Sequence, residues 1–241
     1  MKLRQKILLS LAAFSFMGAV PQAMALENFD TAKRALHAFY KALPQPETFY
    51  CRCPLVRDRR DRFVPVTEQC ADGQFAYPSR DEDRAYRMEV EHIVPAWEFG
   101  HQLQCWKEGG RAQCQAESEA FNKMEGDLWD LVYANGAVNK ARSYFRFSEW
   151  NARRGTFGAC PMVVDAHFRQ VQPPEYTRGL IARTYLYFAE KYRLSLNARQ
   201  MSIFKVWDKK YAPDKFECLR AAFIEQVQGD ATPYLIDRCR F

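Results

Sequence analysis

No H-E-x-x-H occurs in this sequence, no G-x-S-x-G, and no glycine-rich loop able to cradle a phosphate. Those absences argue against a zincin-type metalloprotease, an α/β-hydrolase nucleophile elbow and a P-loop enzyme. No C-x-x-C pair occurs either, and the irregular cysteine spacing argues against a zinc site. Beyond residue 25 no stretch is apolar enough to cross a bilayer. There is no internal repeat, low-complexity tract or linker, so one domain is expected. A strong excess of charge is missing too. The formal net charge is +6, and only +3 without the three basic residues of the first 25. Binding to a polyanion would need a local basic patch.

What is present begins with an export signal. Lys2, Arg4 and Lys6 precede an apolar run from Ile7 to Val20, and Ala23-Met24-Ala25 is a small-x-small cleavage site. Residues 1–25 are expected to be a signal peptide and residues 26–241 the mature domain. A retained anchor is the alternative, disfavoured because spanning takes about 20 apolar residues. All eight cysteines lie in the mature part, and an exported chain with an even number implies up to four disulfides. Cys105 and Cys114 are the simplest pair, closing a short polar loop. The remaining pairings stay open.

Hydrophobic content of 48%, with 15% aromatic, supports a real core. Helical spacing of Phe29, Ala32, Leu36, Tyr40 and Leu43 predicts a first helix stopped by Pro44. His37 on it reads as structural or solvated. Phe49–Pro54 reads as a short strand, Arg57–Arg62 as a solvated charged face, and residues 65–85 as a long loop pinned by Cys70. Met88–Val94 reads as a strand, Pro95 as the start of a short helix ending near Gly100, and residues 101–116 as a cysteine-bounded loop. Glu117–Glu125 and the first half of Ala137–Trp150 read as helical. In the C-terminal third, Ile181, Thr184, Phe188 and Tyr192 mark one helix face. Asn197 and Asp214 cap two more helices, the last with Phe216, Leu219, Phe223 and Val227 inward and Gly229 as its stop. One disulfide-stapled α+β domain, helical in its C-terminal third, is expected.

Two stretches carry chemistry. Arg87–Gly100 crowds Glu89 and Glu91 against His92, and Met124–Trp150 adds Asn139 among several arginines. Phosphodiester hydrolysis needs a base to aim water and charge to neutralise the transition state. An unperturbed histidine titrates near working pH, so His92 is expected to be the general base. Glu91 and Asn139 are hard oxygen ligands that suit Mg²⁺, with Mn²⁺ or Ca²⁺ as substitutes. Arg111 offers a planar fork to phosphate. Glu89 and Glu125 are expected to tune the metal shell or orient His92. Lys140, Arg142, Arg146, Arg153 and Arg154 are expected to line a basic wall that grips phosphates without reading bases. One tension stands out: on an ideal strand Glu89 and Glu91 face one way and His92 the other.

These motifs, EVEHIVPAWEFG, the GGR before Cys114, ME at Met124-Glu125 and GAVNKARSYFRFSEW, stand in an order and spacing that resembles the bacterial periplasmic endonuclease I family. GLIARTYLYFAEKYRLSLNARQMSIFKVWDKKY and VQGDATPYL resemble it as well. The resemblance implies a ββα-metal nuclease, with His92 activating water, Glu91 and Asn139 on Mg²⁺, and Arg111 at the transition state. It also implies cleavage of DNA, and RNA too, with little sequence preference and 5′-phosphate products. Such an enzyme is expected to be periplasmic or secreted, monomeric, and free of the membrane once the leader is cut. Trp129-Asp130 replaces the family's His-Asn, and Lys140-Ala141 replaces its Gly-Asp. Those departures motivate the alternative of a nucleic-acid-binding or uptake protein on a nuclease scaffold with weak turnover.

Overall fold

The computed structural model describes residues 28–150 and 157–239. The expected signal peptide, residues 1–25, and the expected phosphate contacts Arg153 and Arg154 lie outside the described residues. Helix α1 (Phe29–Ala42) opens on a capping box in which Asn28 and Thr31 satisfy each other's orphan groups. A hairpin follows, β1 (Leu55–Arg57) with β2 (Phe63–Pro65). Its charged tip pairs Arg57 with Asp61 and Arg62 with Asp58, as the solvated-face reading expects. Phe49–Pro54 is not a strand. It is a turn with one bridge, Glu47 to Pro54, closed by a hydrogen bond from Cys53 N to Thr48 Oγ1. Residues 65–85 are less irregular than expected, since 3₁₀ turns at Thr67–Gly73 and Ser79–Asp81 lead into α2 (Glu82–Ala85).

Strand β3 (Met88–His92) is followed by α3 (Ala96–Gly100), as Pro95 predicts. The expected cysteine-bounded loop is instead a helix, α4 (Gln104–Glu117), broken at Gly109-Gly110. Gly110 has φ +68° and ψ −152°, a conformation open to glycine, so the pair kinks the helix rather than unravelling it. Then come α5 (Glu119–Glu125), a 3₁₀ turn (Leu128–Asp130), β4 (Leu131–Asn135) and α6 (Gly136–Arg142). Strands β5 (Arg146–Phe147), β6 (Val163–Asp165) and β7 (Gln170–Gln172) form a small mixed sheet. Helices α7 (Glu175–Lys191), α8 (Ala198–Lys210) and α9 (Lys215–Gln228) complete the helical third.

Helix α7 corrects the one-face expectation: every residue from Thr177 to Phe188 is buried. A helix covered on all sides is a core helix. One side meets α8, where Tyr185 stacks on Phe204 at 4.3 Å. The other meets the elements that carry the site, through Thr184 Oγ1 donating to Trp129 O and Tyr185 donating to Glu98. Its buried Arg183 is held by Glu217 and Asp208. Leu219, expected inward on α9, is exposed. Its helix packs with Phe216, Phe223 and Val227 instead. One hydrophobic cluster runs from Ala32 to Leu235, so the described residues form a single α+β domain.

Four disulfides staple it: Cys51–Cys160, Cys53–Cys70, Cys105–Cys114 and Cys218–Cys239. The Cys105–Cys114 expectation holds. Cys51–Cys160 spans 109 residues and Cys105–Cys114 only 9. Loop-closure entropy then predicts losses of about 5 and about 3 kcal/mol when each pair becomes alanine. Urea unfolding of the two double variants checks that order, and a larger loss for the short loop contradicts it.

Candidate active site

Strands β3 and β4 pair antiparallel, with Met88 opposite Asn135 and His92 opposite Leu131. Helix α6 starts directly at the end of β4. Asn135 makes that junction: its side chain accepts from Ala137 N, and its Nδ2 donates to Ala85 O. Asn135-Gly136 is therefore a helix start. A Cβ on Gly136 would meet the main-chain oxygen of Arg84 at 2.6 Å, so only glycine lets α6 start this close to α2. The outcome is a strand–strand–helix unit that lays Asn139 beside Glu89 of β3.

Glu89 accepts both Nε and Nη2 of Arg84, and its Oε2 accepts from Asn139 Nδ2 at 3.0 Å. It orients Asn139, not His92 as one expectation had it. Because a carboxylate can only accept, the amide nitrogen faces Glu89, and Asn139 Oδ1 takes no hydrogen bond among the described residues. Glu91 is buried. Its Oε1 accepts the Tyr50 hydroxyl at 2.8 Å and lies 3.4 Å from Arg142 Nε. No described residue donates to its Oε2. Burial, only partly offset by Arg142 and Tyr50, pushes the Glu91 carboxyl up to about 7.

The strand ends at His92, which relieves the tension between alternate faces. Beyond it Ile93 N and Val94 N donate to Asp130 O and Oδ1, turning the chain away. The His92 ring lies 4.8 Å from the Phe29 ring, and its Nε2 is 2.9 Å from Glu125 O. A carbonyl only accepts, so Nε2 carries the proton and Nδ1 the lone pair. Burial and then the Arg111 charge lower the His92 pKa to about 3, well below the useful range expected from the sequence, so the imidazole is neutral but a weaker base than a free histidine. Arg111 donates to the Glu125 carboxylate and lies over the same Phe29 ring at 5.3 Å. Gln115 donates to both Glu125 oxygens. Glu125 thus fixes His92 through its main chain and Arg111 through its side chain, while Arg111 stays 43% exposed.

The expected basic wall is thinner than its sequence. Arg142 is 1% exposed, and its guanidinium donates to the carbonyls of His92, Ile93 and Ser143. It is a brace under the strand end, not a phosphate contact. Lys140 is paired with Asp81. Arg146 is exposed. Trp129 packs on Tyr187 and Arg220 and donates to Asp230 O. Like buried Asp130, it serves the framework. Sequence reasoning missed Phe29, Tyr50, Arg84 and Gln115. Tyr50 and Glu91 are 41 residues apart, so no local pattern links them.

No three His, Cys, Asp or Glu side chains converge among the described residues, so a closed metal cage is not what this site offers. A carboxylate oxygen and an amide oxygen, both uncommitted, fit a hydrated hard cation such as Mg²⁺, which keeps most of its waters. A family model, Endonuclease I, matches residues 47–239. An extracellular deoxyribonuclease of Aeromonas hydrophila is 42% identical over 97% of this chain and 98% of the relative. A periplasmic deoxyribonuclease of the same organism is 42% identical over 97% and 95%. Endonuclease-1 of Buchnera aphidicola subsp. Acyrthosiphon pisum is 37% identical over 89% and 82%. This chain belongs to the Endonuclease I family and is an endonuclease of the periplasm or the extracellular space.

Proposed function

We propose that the protein hydrolyses phosphodiester bonds of DNA, and of RNA too, with little base preference, leaving 5′-phosphates. The observation that carries this reading is the bond from His92 to Glu125 O. It fixes the tautomer, with Nδ1 unprotonated, of an imidazole that burial and the only half-covered guanidinium of Arg111 keep neutral. His92 Nδ1 takes the proton of the attacking water. Arg111, held by Glu125, meets the negative charge that develops on the phosphoryl oxygens. Glu91 Oε2 and Asn139 Oδ1 are the atoms that would hold Mg²⁺, or Mn²⁺ or Ca²⁺ in its place. When bound, the ion neutralises phosphate charge and stabilises the leaving oxygen.

Contacts to the strand are contacts to phosphate, which carry no base information and weaken with salt. Arg111 and exposed Arg146 supply them from the described residues. The enzyme acts as a monomer, and no described helix is long and apolar enough to cross a membrane.

Plasmid nicking with Mg²⁺ and with a chelator tests this reading. Nicking is expected to stop on chelation and return with Mg²⁺; an unchanged rate contradicts it. The acid limb of the pH profile is a second test. Protons compete with the cation for Glu91, whose carboxyl sits at about 7 without an ion. Raising Mg²⁺ favours the deprotonated form, so the limb moves to lower pH as Mg²⁺ rises. A limb that ignores Mg²⁺ contradicts cation binding at Glu91.

A further inference from the structure

Tyr50 is 1% exposed, and its ring packs beside Phe49 at 5.0 Å and Phe147 at 6.5 Å. Phenylalanine would fill that space equally well. What phenylalanine lacks is the hydroxyl, whose partner is Glu91 Oε1 at 2.8 Å. Arg142 Nε stands 3.4 Å from the same oxygen. Both neighbours therefore hold the carboxylate by one oxygen and leave the other uncommitted.

The turn that presents Tyr50 is fastened on every side. Phe49 N donates to Tyr133 O on β4 at 2.8 Å, and Arg52 N donates to Thr48 O at 3.0 Å. The Tyr50 carbonyl accepts the Tyr176 hydroxyl at 2.6 Å. Cys51 and Cys53 on its far side are each in a disulfide. Arg52 sits at φ +49°, a left-handed conformation that costs a non-glycine residue about 1 kcal/mol or more. So many anchors, and that strain, fix the position of a single phenol.

We propose that Tyr50 is a positioning residue for the divalent cation: its hydroxyl turns the Glu91 carboxylate so that Oε2 faces the ion. This rests on the reading that Glu91 and Asn139 hold that ion. Arg84 and Glu89 do the same for Asn139, so each ligand has its own clamp.

The test is Tyr50→Phe in the oxidised full-length mature protein, with free Mn²⁺ measured by electron paramagnetic resonance in the absence of DNA. Mn²⁺ binding is expected to weaken about tenfold, the low end for losing a partner of a metal ligand. The half-saturating Mg²⁺ for nicking rises by the same factor, while the rate at saturating Mg²⁺ approaches wild type. Wild-type Mn²⁺ affinity in Tyr50→Phe overturns the proposal. Glu91→Gln and Asn139→Ala separate its failure from that of the cation reading. If they too bind like wild type, or wild type binds no Mn²⁺, the ligand assignment itself falls. If Tyr50→Phe melts more than about 10 °C lower, its Mn²⁺ binding is measured again well below its transition, where it is folded. Weaker Mn²⁺ binding there supports the proposal, and unchanged binding overturns it.

Discussion

His92→Ala is expected to lower plasmid nicking by at least ~10²-fold at saturating Mg²⁺, the lower range for removing a general base. Only one ring nitrogen is available. Nε2 is committed to Glu125 O, and the ring is held near Phe29 and Phe99, so Nδ1 has a fixed direction. Burial and Arg111 keep the ring neutral, and a neutral imidazole can accept a proton without first losing one. Alanine at 92 removes that acceptor but leaves β3 paired with β4 through its backbone. Mn²⁺ binding should survive, since Glu91 and Asn139 are untouched. Nicking equal to wild type, with the variant folded and pure, contradicts the assignment of the base.

Arg142→Met is expected to cost about 3–5 kcal/mol of stability, the range for removing one partner of a buried ion pair. The guanidinium is 1% exposed and donates to three main-chain carbonyls, those of His92, Ile93 and Ser143. Methionine fills much of the volume but supplies no donor. Three carbonyls lose a partner, and the Glu91 carboxylate loses the charge beside it. The same change should slow nicking beyond its effect on folding, because the carbonyls it frees belong to the strand end that carries His92. Urea unfolding measures the stability. A loss below about 1 kcal/mol, the value of an exposed pair, would return Arg142 to the cleft wall.

The site was legible where its chemistry is local. Met88–Val94 ahead of Pro95 predicted a strand and a short helix, and β3 and α3 follow, with the strand ending two residues early at His92. Asn139 on a helix was readable as well, from the first half of Ala137–Trp150, and Asn135 caps that helix. Cys105 and Cys114 pair because nine residues bring them round on the kinked α4. What was hidden depends on distant chain segments. A basic residue three places after Asn139 reads as a phosphate contact until tertiary structure supplies carbonyls for Arg142 to bind. Lys140 reads the same way until Asp81, 59 residues away, takes its charge. Composition cannot distinguish α7 from an amphipathic helix, since its burial is set by α8 on one side and the Trp129 segment on the other. Gly109-Gly110 reads as a loop because local propensity does not reveal a helix resuming beyond a kink.

The most direct test of the account is where a divalent ion sits. Crystals of the mature protein soaked with Mn²⁺ and a short DNA strand, measured by anomalous scattering, locate it. The account predicts one peak bonded to Glu91 Oε2 and Asn139 Oδ1 at about 2.2 Å, with a phosphate oxygen on the same ion and Arg111 and His92 Nδ1 turned toward that phosphate. A peak elsewhere, or a phosphate bound with no ion at Glu91 and Asn139, contradicts it.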